Sequence, residues 1–245
     1  MDSNPITGSI RLGFFSSEDM STSVLFPIDW HNIDHVVLDF GGVLYDIDHD
    51  RTAAAFSKLG LKGFSKEFRH GAQGALFDQL ECGTISNEAF LLALRNRCSD
   101  GATLEEVRAA WNALLIGLKP QAVDWVRMLS ERFDLLMFSN TNDIHAAHFE
   151  QDILRSRSRS FSDAFRQIIY SHRLGLRKPS PAAFQKVADL YDLNPKRTLF
   201  IDDTQENVAG ALQAGWSAAY FDVQAHSIAD FLRGTNFIEF VEVRP

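Results

Sequence analysis

Two apolar runs in this chain end in carboxylates. Val36-Val37-Leu38 is β-branched and uncharged, reads as a strand buried on both faces of a parallel sheet, and leads into Asp39-Phe40-Gly41-Gly42-Val43. An acid followed by two glycines lets both a carboxylate and bare backbone approach something small. A second run, Thr198-Leu199-Phe200-Ile201, ends in Asp202-Asp203. Two strands that deliver carboxylates to the C-terminal edge of one sheet describe a divalent-metal site with a nucleophile in it.

Two further segments could serve that site. Phe133-Asp134-Leu135-Leu136-Met137-Phe138 ends in Ser139-Asn140-Thr141-Asn142-Asp143, where hydroxyl and backbone N–H donors can face an anion and Thr141 to Asp143 can cap a following helix. Taken alone, this is equally a capped turn. Gly175-Leu176-Arg177-Lys178-Pro179-Ser180-Pro181 sets a lysine just before a Pro-initiated helix over 182–191. By itself, Lys178 reads as a surface residue.

The elements that must position these groups follow an alternating strand and helix pattern, with strands expected near 35–39, 134–139, 167–171, 197–202 and 217–222. The fold class is therefore α/β, a doubly wound, mostly parallel sheet. One interval breaks the rhythm: after the first strand, residues 49–117 read as helices over 51–59, 66–77, 87–97 and 104–115, punctuated by Gly83, Ser86 and Gly101. This predicts an inserted α-helical cap at 49–117 over the edge from which Asp39 emerges, with the Rossmann-like core at 34–48 and 118–245. Residues 1–33 carry no sustained period and read as an N-terminal extension. Phe237 to Val243 alternates like an edge strand.

Composition narrows the function classes. With 245 residues and 45% hydrophobic content the chain can bury a substantial core. No apolar run approaches the roughly 18–20 residues of a membrane span, and no secretory leader pattern opens the sequence, so a cytoplasmic location is expected. A net charge of −8 argues against a nucleic-acid partner, and Arg155-Ser156-Arg157-Ser158-Arg159-Ser160 reads as a solvated helix end and loop. Cys82 and Cys98 have no metal-ligand spacing and read as buried or idle thiols.

In order and spacing, Asp39-Phe40-Gly41-Gly42-Val43, Ser139-Asn140, Lys178-Pro179 and Asp202-Asp203 with Asn207 resemble the four motifs of the haloacid dehalogenase-like (HAD) hydrolase superfamily. The resemblance covers 34–233 and includes the helical insert where the family carries its small cap. In finer detail the motifs look like the bacterial branch containing alpha-D-glucose-1-phosphate phosphatases. The resemblance implies a Mg²⁺-dependent phosphomonoester hydrolase acting on a small phosphorylated metabolite, with a sugar phosphate as the expected substrate. Asp39 would attack phosphorus and form an aspartyl-phosphate. Mg²⁺ would be held by Asp39, the Gly41 carbonyl and Asp203, with Asp202 binding directly or through water. The Ser139 hydroxyl and the Asn140 N–H would bind phosphoryl oxygens, Lys178 would neutralise shared charge, and Asn207 would support Lys178 or the surroundings of the nucleophile.

Gly41 departs from the phosphatase pattern, which carries a second Asp there as general acid and base. Such proton transfer contributes about 10²–10⁴ in rate. The rescues that suggest themselves are an easily expelled leaving group, ordered water, or a cap residue such as His70, Asp78 or Glu81; Asp46 and Asp48 read rather as hinge hydrogen-bonding residues. Phe77, Gln79 and Trp111 are cap candidates for substrate contact, and His145 is a candidate for a substrate hydroxyl. The competing readings are a catalytically weak phosphate-binding pseudoenzyme, motivated by the missing acid, and a metal-independent haloacid dehalogenase, which would leave Asp202-Asp203 without a purpose.

Overall fold

The computed structural model describes residues 26–61, 63–64, 75–155 and 159–243. The chain opens with β1 (His35–Leu38) and the short β2 (Tyr45–Ile47), followed by α1 (His49–Lys58), α2 (Ala75–Glu81), α3 (Asn87–Arg95) and α4 (Leu104–Asn112). It returns through β3 (Leu115–Leu118), α5 (Ala122–Ser130), β4 (Asp134–Ser139), α6 (Asp143–Arg155), α7 (Arg159–Asp163) and β5 (Gln167–Tyr170). The remainder is α8 (Ser171–Leu174), α9 (Pro181–Tyr191), β6 (Thr198–Asp202), α10 (Gln205–Gln213), β7 (Ser217–Tyr220), α11 (Ile228–Gly234) and α12 (Phe237–Val243).

Five strands form one parallel sheet in the order β5-β4-β1-β6-β7. β1 is central because it is apolar on both faces: Val36, Val37 and Leu38 are all fully buried. One face packs Val36 and Leu38 with Leu135, Met137 and Ile201. The other packs Val37 with Leu136, Phe138, Phe184 and Phe200. The pairings Leu38 with Met137 and Leu38 with Ile201 set the ends of β1, β4 and β6 side by side. Asp39, Ser139 and Asp202 therefore emerge at the same edge.

The helices between β2 and β3 have an apolar cluster of their own, built on Phe56, Phe64, Phe77, Leu80, Phe90, Leu94, Val107 and Trp111. Local chemistry starts three of them. Asp48 accepts from the Asp50 N–H, Ser86 from the Ala89 N–H, and Thr103 with Glu106 forms a capping box. The antiparallel pair β2–β3 carries the chain out of the sheet and back.

The structure corrects three expectations. The helix read over 104–115 stops at Asn112, because Leu115 to Leu118 pairs with β2, a long-range partner that a local periodicity does not reveal. Residues 237–243 form a helix and not an edge strand: Phe237 and Phe240 are both buried, and Phe-Ile-Glu-Phe-Val satisfies the i, i+3, i+4 spacing of one helical face as well as it does alternation. The last residues of the supposed N-terminal extension belong to the core. Trp30 is buried, donates its indole N–H to the Thr235 carbonyl at 2.7 Å and meets Phe237 edge-on at 4.9 Å. Residues 1–25, His70, most of the helix read over 66–77 and the middle of the Arg-Ser run, 156–158, lie outside the described residues.

Candidate active site

Asp39 directly follows β1, and its N–H still donates to the Ile201 carbonyl of β6, so its carboxylate leaves the sheet beside that of Asp202. The two glycines after it are explained by what they face. Gly42 has φ +83°, and a Cβ there would sit 2.0 Å from Asp203 Oδ2, so the turn and the third carboxylate cannot coexist with a side chain at 42. Oxygens of Asp39, Asp202 and Asp203 lie within 4.8 Å of one another, a spacing at which one divalent cation can be shared.

Lys178 is the largest departure from a residue-by-residue reading. It is a core residue, 1% exposed, with Nζ 2.6 Å from Asp39 Oδ1 and 2.7 Å from Asp202 Oδ2. Its stem lies against Phe138 and Phe200, with Nζ 5.4 and 5.0 Å from the ring centres. The main chain is clamped by Asn140, whose amide accepts from the Lys178 N–H at 2.9 Å and donates to its carbonyl at 2.8 Å. The Lys178-Pro179 peptide is cis. The loop is pressed against α10 at Gly210, where a Cβ would stand 2.0 Å from the Pro179 carbonyl oxygen.

Asp202 is saturated. Oδ1 accepts from the Thr204 N–H at 2.8 Å and from Asn207 at 3.1 Å, while Oδ2 accepts from Asn207 at 3.1 Å and from Lys178. Asn207 thus supports the site through Asp202, not through Lys178. Asp203, only partly buried, faces Gly42 and has no such set of donors among the described contacts.

The electrostatics of the cluster call for a cation. Three carboxylates surround one ammonium, leaving two negative charges uncompensated when all are ionised. Burial and the neighbouring Asp202 and Asp203 push Asp39 up against the pull of Lys178, and burial with Asp202 raises Asp203 to about 6. Burial alone would lower Lys178, but Asp202 and Asp39 outweigh it and raise the lysine. The oxygen-only donors and the surplus negative charge fit Mg²⁺.

A cavity of about 90 Å³ lies beside this edge, lined by Gly41, Ile47, Glu81, Trp111, Ser139, Asn140 and His145 among others. Ser139 is buried, and its hydroxyl makes only a long contact, 3.5 Å, with the Asn140 carbonyl. A Cβ on Gly41 would meet Ile47 Cδ1 at 3.4 Å, so an aliphatic side chain borders the place where a second acid would project. His145 is buried and not on the helix surface: its ring stacks on Trp111 at 4.6 Å, contacts the Trp111 carbonyl at 3.1 Å and the Asn142 amide at 3.1 Å. Burial depresses its pKa to about 3. Asn142 also accepts from the His145 N–H, which makes it the cap foreseen within Thr141–Asp143.

Of the other cap candidates, Phe77 is packed inside the apolar cluster of the helical insert and Gln79 is exposed, neither lining the cavity. Trp111 and Glu81 do line it. The residue that the sequence reading passed over is Arg177, which pairs with Asp78 and lies 2.8 Å from Glu81, linking α2 to the loop that carries Lys178. Its place next to Lys178 was visible; its partners, about a hundred residues away, were not. Asp46 pairs with Lys119 at 3.6 Å and Asp48 caps α1, so both act locally.

Residues 33–215 match the family model described as haloacid dehalogenase-like hydrolase. A D-ribitol-5-phosphate phosphatase of Bacteroides thetaiotaomicron is 30% identical over 176 residues, covering 72% of this chain and 85% of the relative. Crystal structures of a HAD family enzyme from the same organism are similar as well. Its magnesium complex has a TM-score of 0.71 at 28% identity, covering 78% of this chain and 93% of that one. Its wild-type complex with magnesium and inorganic phosphate has a TM-score of 0.68 at 29% identity, covering 77% and 93%. A 2-haloacid dehalogenase from Pseudomonas syringae shares the fold alone, with a TM-score of 0.51 at 18% identity over 80% of this chain and 89% of that one. With its strand-end acids, its buried lysine and a family match that spans most of the sequence, this chain belongs to the haloacid dehalogenase-like hydrolases.

Proposed function

We propose that the protein is a Mg²⁺-dependent phosphomonoester hydrolase acting on a phosphorylated sugar or sugar alcohol through an aspartyl-phosphate. The observation that carries this reading is the buried Lys178 ammonium held between Asp39 and Asp202, with Asp203 completing a carboxylate cluster of metal-binding dimensions. The relatives support the same chemistry, one acting on D-ribitol 5-phosphate and another crystallised with magnesium and phosphate. The narrower resemblance to alpha-D-glucose-1-phosphate phosphatases is widened accordingly to polyol phosphates in general.

In this reading Asp39 is the nucleophile, and Asp39, the Gly41 carbonyl and Asp203 would hold the metal. When bound, Mg²⁺ supplies positive charge between two groups that would otherwise repel each other, the attacking carboxylate and the phosphate. Asp202 keeps its four hydrogen bonds and orients Lys178, whose ammonium neutralises charge shared by Asp39 and the phosphoryl group. Ser139 donates its hydroxyl, and Asn140 its N–H, to phosphoryl oxygens. The Asn140 side chain is already committed to holding the lysine loop. Residues 49–117 act as the cap, and exclude solvent from the small cavity during attack.

Phosphate release from a panel of polyol and sugar phosphates tests this, with EDTA and Asp39→Asn as controls. Magnesium-dependent release that disappears in both controls is expected. Binding of phosphate esters without release would favour a pseudoenzyme, and metal-independent loss of halide from a 2-haloacid would favour a dehalogenase.

A further inference from the structure

Gly41 removes the side chain that would protonate the leaving oxygen, yet the cavity beside it does contain a carboxyl. Glu81, at the end of α2, is the only acidic residue among the described residues lining that cavity, which it shares with Gly41, Ser139 and Asn140. Its side chain is partly buried, and the buried Oε2 has no aligned hydrogen-bond donor: Arg177 Nε lies 2.8 Å away but off-line. The Arg177 ion pair compensates the charge of this oxygen, but without an aligned donor the oxygen keeps hydrogen-bonding capacity for a ligand in the adjoining cavity.

We propose that Glu81 is the general acid and base of this enzyme, delivered by the helical insert in place of the side chain missing at Gly41. The inference rests on the phosphatase reading above. In the first step a carboxylate oxygen of Asp39 bonds to phosphorus, the bond from phosphorus to the ester oxygen breaks, and the Glu81 proton passes to that oxygen to release the alcohol. In the second step Glu81 takes a proton from water, the water oxygen bonds to phosphorus, and the bond from Asp39 to phosphorus breaks. Inorganic phosphate leaves with Glu81 protonated again.

Charge balance favours the protonated start. One guanidinium, Arg177, stands between two acids, Asp78 and Glu81, and the direct hydrogen bond goes to Asp78. Burial, with Asp78 adding to it, holds the Glu81 carboxyl above the usual carboxylate range against the pull of Arg177. Once the proton has gone, the same guanidinium stabilises the carboxylate until water restores it. Among the other titratable groups lining the cavity, His145 is committed to Trp111 and Asn142, and His49 is exposed at the start of α1.

The test is Glu81→Gln, which keeps shape and hydrogen-bonding capacity but has no proton to give. Its kcat/KM is compared with wild type on p-nitrophenyl phosphate, whose leaving group needs no proton, and on the alkyl phosphate hydrolysed fastest. The alkyl rate should fall about 100-fold or more while the p-nitrophenyl rate changes by less than about threefold. Equal losses on both substrates, in a variant shown by urea unfolding to be folded, would overturn the proposal and make Glu81 a positioning residue for the Lys178 loop through Arg177. Should Glu81→Gln fail to fold, Glu81→Ala, which also has no proton to give, replaces it, and an unchanged ratio between the substrates again overturns the proposal. No loss on either substrate would also overturn it. A wild-type protein that releases phosphate from neither ester would instead refute the phosphatase reading.

Discussion

Replacing Lys178 by Met removes one charged group and little volume from the centre of the site. The two hydrogen bonds it ends, 2.6 Å to Asp39 and 2.7 Å to Asp202, are charge-assisted and fully buried. At about 1.5–3 kcal/mol each they amount to roughly 3–6 kcal/mol, and removal of one partner from a buried ion pair costs about 3–5 kcal/mol. The desolvation of the ammonium, which the variant avoids, pulls the figure toward the lower end. A loss of about 3–5 kcal/mol in unfolding free energy is therefore expected from urea denaturation in EDTA at neutral pH. The main-chain clamp by Asn140 survives the change, so the loop itself should persist. Saturating Mg²⁺ should restore more stability to the variant than it adds to wild type, because the cation then has more uncompensated negative charge to meet. A loss below about 1 kcal/mol would refute the reasoning, since it would mean that the carboxylates are already neutral in the folded protein and that the ammonium compensates nothing.

Gly42→Ala places a Cβ against Asp203 and forces an L-residue to φ +83°, so about 1–2 kcal/mol of stability and at least about tenfold in Mg²⁺ affinity should be lost, the latter read by calorimetric titration. Unchanged Mg²⁺ affinity would place the metal away from Asp203. His145 makes a pH prediction: the unfolded chain takes up its proton near 6.5, the folded one only near 3, so stability is fully present above about 6.5 and is lost as pH falls toward 3. The slope is up to ~1.4 kcal/mol per pH unit, and His145→Gln should lack it. Parallel stability curves for the two proteins across that window would contradict the buried neutral imidazole.

Some of this was legible in the sequence for physical reasons. A strand buried on both faces has to be written in apolar residues, so β1, β4 and β6 and the polar groups at their ends stand out. Lys178 does not: no local pattern separates a lysine that bridges two acids 24 and 139 positions away from one in solvent. The same holds for Arg177 and for the stacking of His145 on Trp111, which depend on how the helical insert meets the sheet. β3 and α12 were misread because short apolar runs satisfy both the strand and the helix period, and only their partners, β2 and the Trp30 cluster, decide between them.

The central claim is that Asp39 itself, and not water, attacks phosphorus. The stereochemical course of hydrolysis, followed with a phosphate ester made chiral at phosphorus by oxygen isotopes, tests it most directly. Two successive in-line displacements, first by Asp39 and then by water, require retention of configuration. Inversion would mean a single displacement by water and would contradict the account.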